Sequence, residues 1–288
     1  MIRPDPDKVA AFAIPGTERS YTASDALIYA LGLGLGADPM NREELPFVYE
    51  EWGPKVLPTF ATVLGDKLDW LEDPNLGLGD APNVHGDETL ILHAPLKPEG
   101  RLASQSRIAG LYDRGEGSHG LLIIEEELHD AATGALVATR RQTDVLIGAG
   151  GFGGEPPPSS DRPAPPDRAC DHRVTREVPA QAALLYRLSG DHYKLHVEPE
   201  YARSAGFDGP ILHGLATYGL ACHAVVASCC GHDPAAIAQI SGRFTAPVYP
   251  GETLSTELWH EGSTVWFHVK AQARDIVVID NGRADLRG

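Results

Sequence analysis

Asp191 and His196 are the residues whose types and spacing most directly suggest chemistry. They sit on the segment Leu188-Ser189-Gly190-Asp191-His192-Tyr193-Lys194-Leu195-His196. A carboxylate and an imidazole on one loop can share a water molecule. One can accept a proton while the other donates, because surroundings tune each toward neutral pH. The same spacing also fits an ordinary solvated loop, since ionisable side chains are mostly exposed. What decides between the two is what else the chain places nearby.

The flanking residues read as two helices with a loop between them. Gln181 to Leu188, QAALLYRL, suggests a short helix that Gly190 breaks. Pro199 suits the first turn of the next one. Shortly after comes Gly209-Pro210-Ile211-Leu212-His213-Gly214-Leu215. It leads into Leu215, Tyr218, Cys222, Val225, Val226 and Cys229, which recur at three- and four-residue steps. That period predicts a long apolar helix, with Gly231 as its stop. The first N–H groups of a helix lack internal partners and carry partial positive charge. The Gly214 N–H could therefore stabilise a developing oxyanion, and Gly214 has no side chain to obstruct an approaching carbonyl. His213 is expected to be packed or hydrogen-bonded at the helix start, not a second base.

These elements belong to the second of two units. The stretch from Gly148 to Asp167, GAGGFGGEPPPSSDRPAPPD, is too rich in glycine and proline to bury a core. A linker over 148–169 then separates units 1–147 and 170–288. The units look like copies. Ala94-Pro95-Leu96 followed by Gly100 parallels Ala246-Pro247-Val248 followed by Gly251, and each precedes alternating, strand-like runs. Each also follows a His-Gly step, His85-Gly86 or His213-Gly214. Matched this way, the second unit holds roughly two dozen extra residues, namely the long helix. The first unit is expected to have lost its helix and to offer a groove instead.

Composition narrows the partners. Lys plus Arg is 24 against 40 Asp plus Glu, a net charge of −16. Duplex nucleic acid, which needs cations to neutralise phosphates, is an unsuitable partner. An anionic small ligand needs only a local site. Cys170, Cys222, Cys229 and Cys230 show no CxxC spacing and read as reduced thiols. The sequence shows no signal-peptide pattern, membrane span or Ser-Lys-Leu ending, so a cytoplasmic location is expected. The twelve histidines lack metal-ligand spacing, and there is no Gly-x-Ser-x-Gly elbow. Gly32-Leu33-Gly34-Leu35-Gly36 ends a helix-like run instead of following a strand, which rules out a Rossmann reading.

Taken together, Tyr186-Arg187-Leu188-Ser189-Gly190-Asp191, His196, Gly209–Leu215 and Gly242-Arg243-Phe244-Thr245-Ala246-Pro247 resemble the (R)-specific enoyl-CoA hydratases, or MaoC-like dehydratases. Tyr21-Thr22-Ala23-Ser24-Asp25 and Leu57-Pro58-Thr59-Phe60 look like the first half of the version found in peroxisomal multifunctional beta-oxidation enzymes. The resemblance implies an α+β double hot-dog fold of two curved antiparallel sheets, with a long central helix kept in the C-terminal repeat. It implies hydration of a trans-2-enoyl-CoA to a (3R)-3-hydroxyacyl-CoA by Asp191, His196 and the Gly214 N–H. No metal or other cofactor is implied, coenzyme A being the carrier of the substrate. Substrate contacts are expected from Gly209, Pro210, Ile211, Leu212 and His213, from Arg243 near the CoA, and from His85 and Gly86. A homodimer is expected, with no nucleic-acid or membrane partner. One departure stands out: the family pattern Gly-Asp-x-Asn-Pro-Leu-His becomes Gly190-Asp191-His192-Tyr193-Lys194-Leu195-His196. Tyr193 and Lys194 are then substrate-facing positions changed for a long or bulky acyl group. The alternatives are a weakened acyl-thioester-binding or partner subunit and a hot-dog thioesterase.

Overall fold

Alternation of apolar and polar residues makes the strands. In β9 (Thr264–Ala271), Val265, Phe267, Val269 and Ala271 are fully buried, while the residues between them face outward. The computed structural model describes residues 3–79, 81–158 and 164–288. The first half contributes β1 (Thr17–Tyr21), β2 (Asn83–Leu92), β3 (Gly100–Asp113), β4 (Gly120–Asp130) and β5 (Leu136–Leu146). The second contributes β6 (His172–Glu177), β7 (Ile237–Phe244), β8 (Thr253–Glu261), β9 and β10 (Ile276–Leu286).

Among the described residues these strands form one ten-stranded antiparallel sheet, ordered β1-β3-β4-β5-β2-β7-β10-β9-β8-β6. Read outward from the centre, both halves follow the same order, so the chain is an internal repeat. The two sheets expected from the sequence are one, because β2 pairs with β7 from Asp87↔Arg243 to Ile91↔Gln239. The architecture is the expected α+β double hot-dog.

The first half carries the helices α1 (Pro6–Ala11), α2 (Ala23–Gly32) and α3 (Leu45–Val48). The second carries α4 (Ala182–Tyr186), α5 (Pro199–Ser204) and α6 (Gly214–Cys229). Thr22 and Asp25 start α2 with reciprocal side-chain-to-backbone hydrogen bonds. The central helix α6 packs on β7 to β10, and every residue from Ala216 to Val226 is buried. Being apolar all round, it is a core helix and not a surface one. Gly219 lets α2 cross it closely: a Cβ there would lie 2.8 Å from the Tyr29 hydroxyl and 2.9 Å from Leu33.

Among the described residues the first half has no comparable helix, but the loss is not where the His-Gly match placed it. The counterpart of α6 is a buried 3₁₀ segment, Pro58–Val63, which lies between β1 and β2 and packs against α6. Leu57-Pro58-Thr59 thus corresponds to Leu212-His213-Gly214. His85 and Gly86 lie inside β2, at a register irregularity before Asp87. A Cβ on Gly86 would sit 2.9 Å from Val145 Cγ2, so this glycine serves strand packing. A dipeptide is too short a signal to align two repeats.

The freed sheet face is not an open groove either. Buried Arg140 donates to Glu88 at 2.9 Å and to Glu126 at 3.0 Å. The Asp66 N–H donates to Glu126 at 2.5 Å, and Gln142 donates to Asp144 at 2.7 Å. Burial holds the Asp144 carboxyl above its ordinary pKa. Removing one member of such a network leaves an unpaired buried charge, a cost of about 3–5 kcal/mol. The open space lies toward the β1 edge, a cleft of about 470 Å³ lined by Pro15, Thr17, Arg19, Gly65, Lys67 and Trp70, among others.

The glycine-rich start of the inter-unit segment is tied down. Asp113 accepts N–H bonds from Gly115 (2.8 Å), Gly151 (2.7 Å) and Gly153 (2.8 Å). Ala149 is fully buried. The glycines there supply positive φ at Gly151 and Gly153, not flexibility. Part of the proline-rich stretch, 159–163, lies outside the described residues.

A fragment spanning 170–288 would bare the β2-facing edge of β7 and the side of α6 that α2 covers. It is expected to be insoluble or inactive on expression. A monomeric fragment with full turnover would contradict this architecture.

Candidate active site

The loop after α4 owes its shape to Gly190, whose φ of +133° is closed to other residues. Next to it, Asp191 accepts the Tyr193 N–H on Oδ1 at 3.0 Å. Its carboxylate remains 41% exposed. A 3₁₀ turn, Lys194–His196, then aims the His196 ring back toward Asp191.

One contact fixes the tautomer of His196. Its Nδ1 lies 2.9 Å from the Ile211 carbonyl oxygen. A carbonyl only accepts, so Nδ1 carries the hydrogen and Nε2 of the neutral ring keeps a lone pair. That Nε2 is 4.0 Å from Asp191 Oδ2. The gap is too long for a direct hydrogen bond and suits a water in contact with both groups. Burial lowers the His196 pKa, with Asp191 and the Ile211 carbonyl opposing. The ring is therefore neutral, and basic, at pH 7.

His213 supports His196 from behind. The two rings stack at 3.8 Å and 25°. His213 Nε2 donates to the Asp191 carbonyl at 3.2 Å. Burial, then the neighbouring His196, pushes the His213 pKa down to about 3. It is a packed neutral residue at the N-cap of α6. Sequence spacing missed that Asp191, His196 and His213 converge, with one potential ligand atom of each within 4.8 Å of the others. Such a set could hold a metal ion. In the arrangement described, Nδ1 of His196 and Nε2 of His213 are spent on carbonyl oxygens, and the remaining Nε2 of His196 faces Asp191.

Gly214 is the first residue of α6, where an N–H has no partner one turn back. A Cβ there would come within 3.3 Å of the Phe244 ring. That ring packs edge-to-face with His85 at 4.8 Å, so His85 touches this region only through Phe244. Its own Nε2 lies 3.1 Å from buried Glu88. Gly86 stays in the β2 bulge.

The other expected contacts divide. Ile211 holds His196 through its carbonyl, and the Leu212 N–H donates to the Val248 carbonyl at 2.7 Å. Gly209 and Pro210 lead into this stretch, and nothing lies within 4 Å of a Cβ built on Gly209. Tyr193 does not fill the space between Asp191 and His196. Its hydroxyl pairs with Tyr201 at 3.0 Å, and burial and Tyr201 push its pKa up to about 12. Lys194 is exposed and 3.9 Å from Glu198. Arg243 is exposed on β7, in register with Asp87 on one side and Asp280 on the other.

Sequence reasoning also missed Arg19. Its guanidinium donates to the Val63 carbonyl and, at 2.9 Å, to the Ser189 carbonyl. No local pattern in Thr17–Tyr21 signals a contact 170 residues away.

Comparison with known proteins gives the family. Residues 20–148 match the MFE-2 hydratase 2 N-terminal domain, and 161–281 match the MaoC like domain. The chain is 37% identical to the peroxisomal enoyl-CoA hydratase 2 of Arabidopsis thaliana, over 98% of this chain and 95% of that protein. It is likewise 37% identical to the enoyl-CoA hydratase ChsH3 of Mycobacterium tuberculosis, over 96% and 97%. The crystal structure of a MaoC-like dehydratase from Phytophthora capsici superposes with a TM-score of 0.82 at 29% identity, covering 98% of each chain.

His196, His213 and His223 all have lowered pKa values, His223 to about 4 through burial and nearby Arg176. Unfolded, each would titrate near about 6.5. Below that the unfolded chain binds more protons, so stability is full above about pH 6.5 and is lost as pH falls toward 4. The urea midpoint should drop between pH 7 and pH 5. A midpoint flat across that window would contradict the buried, neutral state of these rings.

Proposed function

The chain belongs to the MaoC-like, MFE-2 hydratase 2 family, and we propose that it hydrates a trans-2-enoyl-CoA to a (3R)-3-hydroxyacyl-CoA at Asp191 and His196. The carrying observation is the 4.0 Å gap between Asp191 Oδ2 and the unprotonated Nε2 of His196, beside the first N–H of a buried helix.

Asp191 orients a water by accepting one of its hydrogens. Neutral His196 takes the other proton at Nε2 as the oxygen attacks C3 of the enoyl thioester. The C2–C3 π electrons shift toward C2, and the thioester oxygen gains charge. The Gly214 N–H, helped by the positive end of α6, stabilises that oxygen. The proton held by His196 returns to C2 on the same face, giving syn addition and restoring the neutral ring. The reverse sequence removes water. Each step uses groups of this chain, and coenzyme A enters only as the carrier of the substrate.

The acyl group we propose is long or bulky. The cleft toward the β1 edge supports this reading, because Arg19 in its wall touches Ser189, two residues before Asp191. Arg243, exposed beside the Phe244 end of β7, is the cation we assign to the CoA phosphates. Tyr193 and Lys194 bear on specificity from the rim, since their polar ends are committed to Tyr201 and Glu198. Four unpaired thiols support a reducing compartment, for which we keep the cytosol. Among the described residues no helix is long and apolar enough to cross a membrane. A homodimer is proposed on exposed Leu184 and Leu188, four residues apart on α4 and the turn after it.

Wild-type protein should remove the enoyl-thioester absorbance without releasing free thiol. Asp191→Asn and His196→Ala should each lower the rate by about two orders of magnitude or more, with folding preserved. Release of thiol would favour a thioesterase. Wild-type-like rates in either variant would overturn the assigned pair.

A further inference from the structure

Arg19 lies on β1, the outermost strand of the first half, yet its guanidinium reaches the second half. It donates to the carbonyl of Val63, at the end of the shortened 3₁₀ segment. It also donates at 2.9 Å to the carbonyl of Ser189, in the loop that carries Asp191. Among the described residues no carboxylate pairs with it directly, and Asp25 acts on it only through charge. A half-buried guanidinium that spends its donors on two carbonyls from two repeats is unusual, since a carboxylate is the stronger partner. The next residue adds a second observation. A Cβ on Gly190 would lie 3.0 Å from Arg19 Nη1, so the guanidinium is packed against the peptide that leads into Asp191.

We infer that Arg19 is a positioning residue for the hydration proposed above, a strut from the repeat without the catalytic pair that fixes the backbone of Ser189 and Gly190 and so sets the place of Asp191. The consequences follow along the chain. Gly190, at φ +133°, has no side chain to hold its own conformation. If the Ser189 carbonyl loses its donor, the Ser189–Gly190 peptide keeps the Gly190 N–H bond to the Arg187 carbonyl at 3.0 Å but loses its second anchor, and the backbone from Gly190 into Asp191 gains freedom to turn. The Asp191 carbonyl, which accepts from His213 at 3.2 Å, turns with it. So does the carboxylate, and the 4.0 Å gap that seats the water is no longer kept. Arg19 also forms part of the cleft wall, so the loss falls on kcat alone only for a short 2-enoyl-CoA, whose acyl chain stops before that wall. Displacements of this kind commonly cost tenfold or more in rate.

The test is Arg19→Ala together with Arg19→Gln, assayed as full-length protein on a short 2-enoyl-CoA that does not reach the cleft wall. The expected result is a fall in kcat of about tenfold or more with KM within about twofold of wild type. Added guanidinium ion should restore part of kcat in Arg19→Ala. Arg19→Lys should recover little, because an ammonium cannot span two carbonyls as a planar fork does. Amide hydrogen exchange over 187–196 should quicken in Arg19→Ala while that of α6 stays slow. A fall in thermal stability with kcat unchanged would make Arg19 a structural residue only and overturn the inference, as would a loss confined to KM. Failure of both Arg19→Ala and Arg19→Gln to fold would overturn it equally. If wild-type protein itself does not hydrate the thioester, the functional reading fails. The exchange experiment then still decides whether Arg19 holds the loop.

Discussion

The pairing of β2 with β7 is the constraint on which the rest of the molecule depends. Along it the two five-stranded halves become one sheet. Each half alone would present an unpaired strand edge at its centre. Once the halves are joined, α6 is enclosed by strands of its own half on one side and by α2 and the Pro58–Val63 segment on the other. That enclosure explains why α6 is apolar on every face. It also leaves the start of α6, with Gly214, as the end of the helix that meets the Asp191–His196 loop.

The chemistry proposed at that end depends on unequal burial. Asp191 keeps its carboxylate partly in water, while His196 and His213 are sunk into the protein and held neutral. A neutral His196 is a usable base only if its free nitrogen faces the water, and the Ile211 carbonyl ensures this by engaging the other one. His213 stays neutral even when His196 takes a proton, since two stacked cations 3.8 Å apart would repel strongly. The two repeats have thus diverged in role. One carries Asp191 and His196. The other has replaced its central helix with a short turn and a buried ionic network around Arg140.

Local features were legible in the sequence. The apolar helix over Leu215–Cys229, the Pro199 start, the strands after the two Pro-Gly turns and the Asp191–His196 loop all follow from periodicity and breaker residues within short windows. The family and the double hot-dog fold followed from a combination of motifs spread along nearly the whole chain. Contacts between distant residues were not legible. The stacking of His213 on His196 and the reach of Arg19 to Ser189 depend on how the repeats meet, which no local pattern encodes. The His-Gly match failed because a β-bulge and a helix start both call for glycine, for different reasons. The glycine-rich run after β5 read as flexible. Its pinning by Asp113 depends on a carboxylate nearly 40 residues earlier.

The central claim is that Asp191 and His196 deliver one water across the C2–C3 bond of an enoyl thioester, oxygen to C3 and hydrogen to the same face of C2. Turnover of a trans-2-enoyl-CoA in D₂ ¹⁸O, followed by chiral analysis and mass spectrometry of the product, examines that directly. The account predicts a (3R)-3-hydroxyacyl-CoA with ¹⁸O on C3 and one deuterium on C2 in the syn relation. A (3S) product, anti placement of deuterium, or ¹⁸O appearing only in a released carboxylate would contradict it.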